Sequence, residues 1–254
     1  MGFDGGARTT LVTGGDVIYT DIADLWEGYE DHLVQLAREI DAKEIAELGG
    51  GANPLVANAE RWGFADHRTV IDISAVELEK AQTTVETRVA DLCQPISSDL
   101  NAYDFVFSQM LCEHLPNPKS FHQNCFNLLR PGGRAVHFFP TIGTLPFVIN
   151  KVIPEDAARS ILRKAQPGRL ENPKTDKFPA YYRWTTGPTQ KARKRFESIG
   201  FQIEGWQACF GHRYYEVLPP LHKLELAKSD YLQNHPVPAL TSFSVVVLRK
   251  PNQG

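Results

Sequence analysis

The most informative stretch of this chain is EIAELGGGANP, residues 44–54. An apolar strand runs into three glycines, which permit positive φ and let a ligand approach the backbone without a Cβ in the way. Asn53 suits a helix N-cap and Pro54 a first helical residue, which predicts a helix over 54–62. The pattern is typical of a strand, a ligand-binding turn and a helix in succession.

A dinucleotide-binding turn would need the pattern G-x-G-x-x-G, which this stretch does not complete. Gly49 and Gly51 fit, but Pro54 stands at the third position, so the pyrophosphate turn is incomplete. Glu47 is also unfavourable beside a diphosphate and suits a cationic ligand instead, such as an amino acid or a sulfonium. The turn therefore argues against a nicotinamide dinucleotide.

Short apolar runs alternate with helix-length segments on both sides of this turn. Strands are predicted at 44–48, 68–73, 87–90, 103–107 and 133–139, and helices at 21–40, 54–62, 75–84 and 117–130. Runs rich in Val, Ile and Phe without period-two alternation indicate strands that are covered on both faces. The chain is therefore predicted to be an α/β protein with a doubly wound, mostly parallel sheet.

The alternation stops after Pro140. Residues 141–188 contain six prolines and few strand-like runs, which suits a cap insertion after the fifth strand, on the carboxyl edge of the sheet. A helix is predicted at 189–199, ended by Gly200, and two late strands at 201–209 and 241–249. The second of these alternates and ends in Lys250-Pro251, as an edge strand does. We therefore divide the chain into a flexible leader (1–18), a core (19–140), a substrate cap (141–188) and the completion of the sheet (189–254).

Composition excludes several classes of protein. The chain has 254 residues, of which 42% are hydrophobic and 22% charged, so it is neither disordered nor disulfide-stapled. No run approaches the roughly 18–20 apolar residues that a membrane helix needs, and the first residues lack the apolar core of a signal peptide. We expect a cytoplasmic protein without a membrane partner, whose four cysteines are reduced, buried thiols rather than metal ligands.

Charge is distributed unevenly along the chain. Residues 1–120 carry 8 Lys and Arg against 21 Asp and Glu, whereas residues 145–200 carry 12 against 5. Because nucleic-acid binders are usually basic overall, the acidic half argues against one. The basic segment is consistent with a small anionic substrate, or with a solvated helix face.

Three acidic residues stand at the ends of successive predicted strands: Glu47, Asp72 and Asp91. In a doubly wound sheet, a carboxylate at the end of the second strand can accept both ribose hydroxyls of a nucleoside. Asp91 is placed to receive an adenine amino group. Any one of the three could instead be a helix cap, but three in succession favour a nucleoside site.

In these motifs the chain resembles the class I S-adenosylmethionine-dependent methyltransferases. Residues 47–51 (ELGGG) resemble that family's E/D-x-G-x-G cofactor motif, Asp72 its ribose-binding acid and residues 90–92 its adenine-side acidic motif. Residues 103–115 resemble its fourth-strand motif, and residues 128–133 (LLRPGG) its turn before the fifth strand. The departure is Ala52-Asn53, where many members have a further glycine. The resemblance implies a seven-stranded sheet with the last strand antiparallel, and S-adenosyl-L-methionine as cofactor, with S-adenosyl-L-homocysteine as product.

The resemblance also implies which residues bind the cofactor. The expected set is Tyr19, Glu47, Gly49, Gly51, Asp72, Ile73, Asp91, Leu92, Gln109 and Met110. Methyl transfer from a sulfonium needs in-line positioning and exclusion of water, and a base only where the acceptor must lose a proton. Glu113, His114 and Tyr181 are the candidates for that catalytic role, although a Glu-His pair also suits a structural role at a helix start.

The acceptor is expected to contact the cap and the end of the sixth strand. Residues 178–184 (FPAYYRW) and 211–215 (GHRYY) offer rings for stacking, hydroxyls for hydrogen bonds and guanidinium groups for anions; the alternative is a cap core with surface arginines. The expected substrate-binding residues are His137, Tyr182, Arg183, His212 and Arg213. We expect O- or C-methylation of a small molecule, either an anionic one such as a prenyl diphosphate or a phenolic intermediate of secondary metabolism, by a protein that is a candidate homodimer.

Other functions stay open. The same fold can carry out non-methyl-transfer chemistry with this cofactor, such as aminopropyl transfer, or it can bind the cofactor as a regulatory protein without turnover. Methylation of RNA or protein is less favoured, because the chain has no appended RNA-binding module. The predicted fourth strand also ends in residues 107–110 (FSQM) rather than in the Asn-Pro-Pro-Tyr-type motif of amino-group methylators.

Overall fold

The computed structural model describes residues 15–81, 85–143, 179–212, 214–215 and 219–252. Strands in these ranges are β1 (Val17–Thr20), β2 (Glu44–Leu48), β3 (His67–Asp72), β4 (Glu86–Val89), β5 (Tyr103–Gln109), β6 (Leu129–Pro140), β7 (Gln202–Cys209) and β8 (Phe243–Arg249). They form one eight-stranded sheet in the order β1-β7-β8-β6-β5-β2-β3-β4. β8 lies between β6 and β7 and is antiparallel to both, while the other neighbouring pairs are parallel.

Helices cover both faces of this sheet. They are α1 (Ile22–Glu27), α2 (Tyr29–Glu39), α3 (Ala59–Trp62), α4 (Ala75–Lys80), α5 (Pro118–Leu128), α6 (Gln190–Glu197) and α7 (Pro219–Asn234). Residues of α1 to α4 share one hydrophobic cluster with one face of the strands, and residues of α5 and α6 share a second cluster with the other face. The doubly wound α/β architecture that the sequence predicts is therefore confirmed.

Local sequence explains where several helices begin. The Ser74 hydroxyl accepts a hydrogen bond from the Glu77 backbone N–H at 3.2 Å, and Asn117 caps α5 in front of a proline at the first helical position. Thr189 caps α6 by accepting from the Ala192 N–H. These are the side chains that satisfy the free N–H groups of a first turn best.

The structure changes the predicted strand count from seven to eight. The additional strand, β1, contains Val17 and Ile18 of the predicted leader, and it pairs with β7. The last strand is antiparallel as expected, but its predicted edge position is wrong. β8 hydrogen-bonds to a strand on each side and its residues are buried up to Arg249, so its alternating pattern does not mark a solvent face.

Two helix predictions differ in detail. The segment 21–40 forms two helices instead of one, because Gly28 ends α1 and precedes α2. The segment 54–62 forms a 3-10 turn, Leu55–Ala57, followed by the short α3; Pro54 is extended and precedes that turn, so Asn53 is not its cap. α7 was not predicted at all.

Of the predicted cap, residues 141–143 and 179–188 are described, and the remainder lies outside the described residues. Within the described part of the chain, no helix combines the length and apolar character needed to cross a lipid bilayer.

Candidate functional site

The glycine turn, residues 49–51, is held in a conformation that favours glycine. Gly49 and Gly51 have φ of +73° and +51°, and the Gly49 N–H donates to the Ile71 carbonyl at 2.7 Å. A Cβ on Gly49 would lie 2.7 Å from Leu111 Cδ1, whereas one on Gly51 would meet nothing closer than Asp72 Oδ2 at 3.7 Å. Gly49 is therefore required by packing, while Gly51 leaves open space above the turn.

Asp72 ends β3 beside this turn. One carboxylate oxygen accepts the Gly51 N–H at 3.0 Å and the other accepts the Ser74 N–H at 2.8 Å. The side chain of the next residue, Ile73, is 58% exposed. A carboxylate and an exposed apolar side chain thus stand together at the edge of the sheet, which is the chemistry that a ribose and an adenine ring require.

The end of β4 adds a second carboxylate to the same edge. The Ala90 N–H donates to the Asp72 carbonyl at 2.9 Å, so the chain of β4 continues alongside β3 as far as Asp91. Asp91 is half-buried and accepts the Cys93 N–H at 2.9 Å. Leu92 is buried, and its carbonyl accepts a hydrogen bond from the side chain of Asn124 on α5. The predicted adenine-side pair, Asp91 and Leu92, is therefore adjacent to Asp72.

Glu47 lies beneath the turn and is almost completely buried. One of its carboxylate oxygens accepts the Val56 N–H at 2.9 Å. Burial raises the pKa of Glu47 to about 7, although hydrogen bonds from the backbone of Val56 and Leu55 act in the opposite direction. In this structure Glu47 therefore anchors the 3-10 turn that follows the glycines.

The end of β5 lies on the other side of β2 from Asp72, at the same edge of the sheet. Met110 has φ of +53° and donates its N–H to the Phe138 carbonyl at 2.8 Å. This turn lets Leu111 pack against Gly49. Gln109 and Met110 are half-buried there, so the structure brings them to the same edge as the glycine turn.

Tyr19 does not belong to this group. It lies on β1, in register with Ala208 of β7, and its ring stacks on Phe210 at 5.2 Å between centroids. In the sheet order β1 is five strands from β2, a separation of roughly 24 Å at the usual strand spacing. The prediction that Tyr19 binds the cofactor is wrong, because tertiary pairing places β1 at the far edge.

The catalytic candidates cluster just beyond β5. The Glu113 side chain is 5% exposed, its Oε2 has no hydrogen-bond partner among the described residues, and burial raises its pKa to about 8. His114 Nε2 lies 3.6 Å from Glu113 Oε1, and His114 Nδ1 lies 3.0 Å from the Pro179 carbonyl. The Glu113 carbonyl accepts the N–H groups of Tyr181 and Tyr182 at 2.7 and 3.0 Å. Residues 179–182 are therefore attached to the Glu113-His114 pair.

The substrate candidates divide between two places. Tyr182 is buried, Tyr181 is exposed, and the Arg183 guanidinium lies over the Tyr181 ring while donating to the Pro116 carbonyl at 2.5 Å. His212 follows β7, where its Nε2 lies 3.5 Å from Glu225 Oε1 of α7. Arg213, the other predicted arginine, lies outside the described residues.

His137 is not presented to a substrate. It is completely buried in the middle of β6, and its Nδ1 lies 2.8 Å from the Ser108 hydroxyl. Its ring contacts those of His122 and Phe121 on α5, and burial lowers its pKa to about 3. The expectation that it contacts substrate is corrected: alternation along β6 directs it into the helix-covered core.

Two residues that shape this edge were not predicted. Leu111 packs on Gly49, a contact between distant segments for which the sequence carries no signal. Ser74 donates its backbone N–H to Asp72 and caps α4 with its hydroxyl. The Ser-x-x-Glu spacing of Ser74 and Glu77 is a capping signal that could have identified it.

Comparison with known proteins agrees with this geometry. Residues 46–137 match the family model described as a methyltransferase domain. The chain is 39% identical over 125 residues to a ubiquinone biosynthesis O-methyltransferase of Cronobacter sakazakii, covering 44% of this chain and 47% of that one. It is 30% identical over 108 residues to a protein of the same name from Coxiella burnetii, covering 41% and 45% respectively. The chain thus spans just under half the length of these curated relatives.

Solved structures share the fold at low sequence identity. An S-adenosylmethionine-dependent methyltransferase from Mesorhizobium loti superposes with a TM-score of 0.53 at 17% identity, covering 88% of this chain and 99% of that one. A phosphoethanolamine N-methyltransferase 2 from Haemonchus contortus, in complex with S-adenosyl-L-methionine, gives 0.54 at 13% identity, covering 89% and 53%.

Proposed function

We propose that this chain, whose residues 46–137 form a class I S-adenosylmethionine-dependent methyltransferase domain, transfers a methyl group to a hydroxyl oxygen of a small phenolic molecule. The cofactor, S-adenosylmethionine, follows from the family and the fold. The acceptor is our inference, and it rests on one observation. Glu113, just beyond β5, is a buried carboxyl whose Oε2 has no hydrogen-bond partner among the described residues and whose pKa is raised to about 8.

The residues at the edge suit this cofactor. Gly51 leaves room for a ligand next to the backbone, Asp72 offers carboxylate oxygens for ribose hydroxyls, and the exposed Ile73 offers an apolar surface for a purine ring. When bound, the cofactor supplies a methyl group on a positively charged sulfonium. The role of the protein is to orient the acceptor in line with that methyl group and to exclude water.

A hydroxyl acceptor must lose its proton as the new bond forms. A carboxylate whose pKa is near 8 accepts a proton from a phenol, with an ordinary pKa of about 10, far better than one with an ordinary pKa near 4. Glu113 is held for this role by its neighbours, because its own carbonyl accepts two N–H groups from residues 181 and 182. Tyr181, whose backbone N–H donates to the Glu113 carbonyl, is exposed and offers its ring and hydroxyl as a surface for binding the acceptor.

The names of the curated relatives support an oxygen acceptor, since they are described as ubiquinone biosynthesis O-methyltransferases. That support is limited to the half of each relative that this chain matches. We therefore propose the acceptor by its chemistry, a phenol, and keep carbon acceptors such as prenyl diphosphates as an arm of the test.

The test starts with titration calorimetry of S-adenosylmethionine and S-adenosylhomocysteine, followed by mass spectrometry on panels of phenols and of isoprenoid diphosphates. We expect cofactor binding and a product one methylene heavier from a phenol. Glu113→Gln should abolish turnover while cofactor affinity stays within twofold, and Glu60→Gln, an exposed acid on α3, should change neither. Binding without any product would favour the regulatory alternative, and a product without an added methyl group would favour other chemistry.

A further inference from the structure

Three potential metal ligands converge in the core, on the face of the sheet that α5 and α6 cover. His122 and Cys125 are three residues apart on α5 and therefore lie on one side of that helix. His137 faces them from β6. One ligand atom from each of the three residues lies within 4.8 Å of the other two, and all three side chains are buried.

Both imidazoles have nitrogens without a partner. His122 Nδ1 and His137 Nε2 are buried and have no hydrogen-bond partner among the described residues. Buried polar atoms are nearly always satisfied, and an exception calls for an explanation such as an unseen water or ion. The Ser108 hydroxyl lies 2.8 Å from the other ring nitrogen of His137, Nδ1. A hydrogen bond to that second nitrogen is the arrangement that orients a metal-binding histidine.

We propose that His122, Cys125 and His137 form a three-coordinate site for a thiophilic monovalent metal ion, Cu(I). Thiolate and imidazole are ligands that Cu(I) accepts. Metal–sulfur and metal–nitrogen bonds of about 2.3 and 2.0 Å would separate the ligand atoms by roughly 3.5–3.7 Å in a trigonal site. Because the ligand atoms lie within 4.8 Å of one another, they need to approach by about 1.3 Å at most to reach these separations, which side-chain rotation can supply.

Charge selects the monovalent ion. Binding replaces the thiol proton of Cys125 with the metal and releases that proton to solvent. A thiolate, two neutral imidazoles and Cu(I) sum to zero charge, whereas Zn(II) would leave one positive charge in an apolar core, which is strongly unfavourable. Among the described residues the cluster also offers only three ligands, two histidines and one cysteine, and structural zinc sites use four.

This site is separate from the methyl-transfer edge but touches the segment attached to it. The Trp184 ring stacks on His122 with centroids 6.0 Å apart, and it directly follows Arg183. A bound ion would therefore hold α5, β6 and residues 179–184 in one arrangement. The site concerns structure and metal loading, and it does not depend on the proposed acceptor.

The experiment is anaerobic loading of the full chain with Cu(I) and, separately, with Zn(II), followed by desalting and measurement of metal per chain. We expect one Cu(I) per chain in the wild type and in Cys209→Ser, a buried cysteine on the opposite face of the sheet. Cys125→Ser should retain at least tenfold less. Equal Cu(I) retention in Cys125→Ser, or retention of Zn(II) alone, would overturn the proposal.

X-ray absorption on the copper-loaded wild type gives a readout that needs no variant to fold. The proposed site predicts a three-coordinate ion with one sulfur and two nitrogen neighbours. A copper environment with two or more sulfurs, or the absence of retained copper, would refute the assignment to these residues.

Discussion

The Asp72 carboxylate accepts a hydrogen bond from the Gly51 backbone N–H at 3.0 Å. The acid at the end of β3 therefore shapes the glycine turn as well as facing the space beside it. Asp72 thus contributes both to the glycine turn and to the proposed ribose position beside it, and its removal should affect both.

Asp72→Ala should weaken S-adenosylmethionine binding. Loss of charge-assisted hydrogen bonds costs about 1.5–3 kcal/mol, or roughly a 10- to 150-fold rise in Kd. Titration calorimetry measures it, with Asp66→Ala, an exposed acid before β3, as the matched control. An unchanged Kd in Asp72→Ala would remove this residue from the site.

The two glycines of the turn should differ in their tolerance of alanine. Gly51→Ala introduces a side chain at positive φ with space around it, a cost of about 1–2 kcal/mol. Gly49→Ala adds a clash with Leu111 and should lose about 2–4 kcal/mol of unfolding free energy in urea titration. Leu111→Ala in the Gly49→Ala background should cost less than it does alone. Additive losses would show that the clash is not the cause.

Glu47 should make the protein less stable as pH rises. Its pKa is about 7 in the folded chain, above its ordinary value of 4.5, so the folded state binds more protons between these values. The stability difference is fully present below pH 4.5 and is lost as pH rises through 7, by up to about 3 kcal/mol. Denaturant unfolding from pH 4.5 to 7.5 should show a shallower decline for Glu47→Gln. Parallel profiles for the two proteins would contradict the raised pKa.

Turnover of a phenolic acceptor should rise with pH. If Glu113 is the base, it must be deprotonated, and burial holds its pKa at about 8. The rate should therefore increase tenfold per pH unit below 8 and level off above it. Initial rates from pH 6 to 9.5 measure this, and Glu113→Asp should keep the shape at a lower plateau. A rate independent of pH across 7–9 would exclude Glu113 as the base.

Lys250 should contribute strongly to stability. Its ammonium is buried and donates to Asn101 Oδ1 and to the carbonyls of Phe126 and Leu129, at 2.8–2.9 Å. Lys250→Met leaves the carbonyls at the end of α5 without this donor, at a cost of about 2–4 kcal/mol. Thermal and urea unfolding should detect it. Arg249→Met, which loses an ion pair with Glu204 at 3.7 Å, should cost well under 1 kcal/mol; equal effects would contradict the prediction.

Much of this fold could be predicted because its signals are local. The strand before the glycine turn, the acids at three strand ends and the cap residues of α4, α5 and α6 each depend on a few neighbouring residues. Backbone conformation at Gly49 and capping at Thr189 follow from short-range sterics and hydrogen bonds. Element type and the edge that carries the cofactor residues were therefore accessible from the chain alone.

What depended on tertiary structure was which distant segments meet. β1 pairs with β7, nearly 190 residues away. This pairing turns the end of the predicted leader into an eighth strand, and it places Tyr19 away from the glycine turn. β8 lies inside the sheet because β6 and β7 both offer it hydrogen bonds. The contact of Leu111 with Gly49 and the convergence of His122 with His137 likewise join separate elements. Such pairings are selected by burial and hydrogen bonding summed over the whole sheet, and no short stretch of sequence carries that sum.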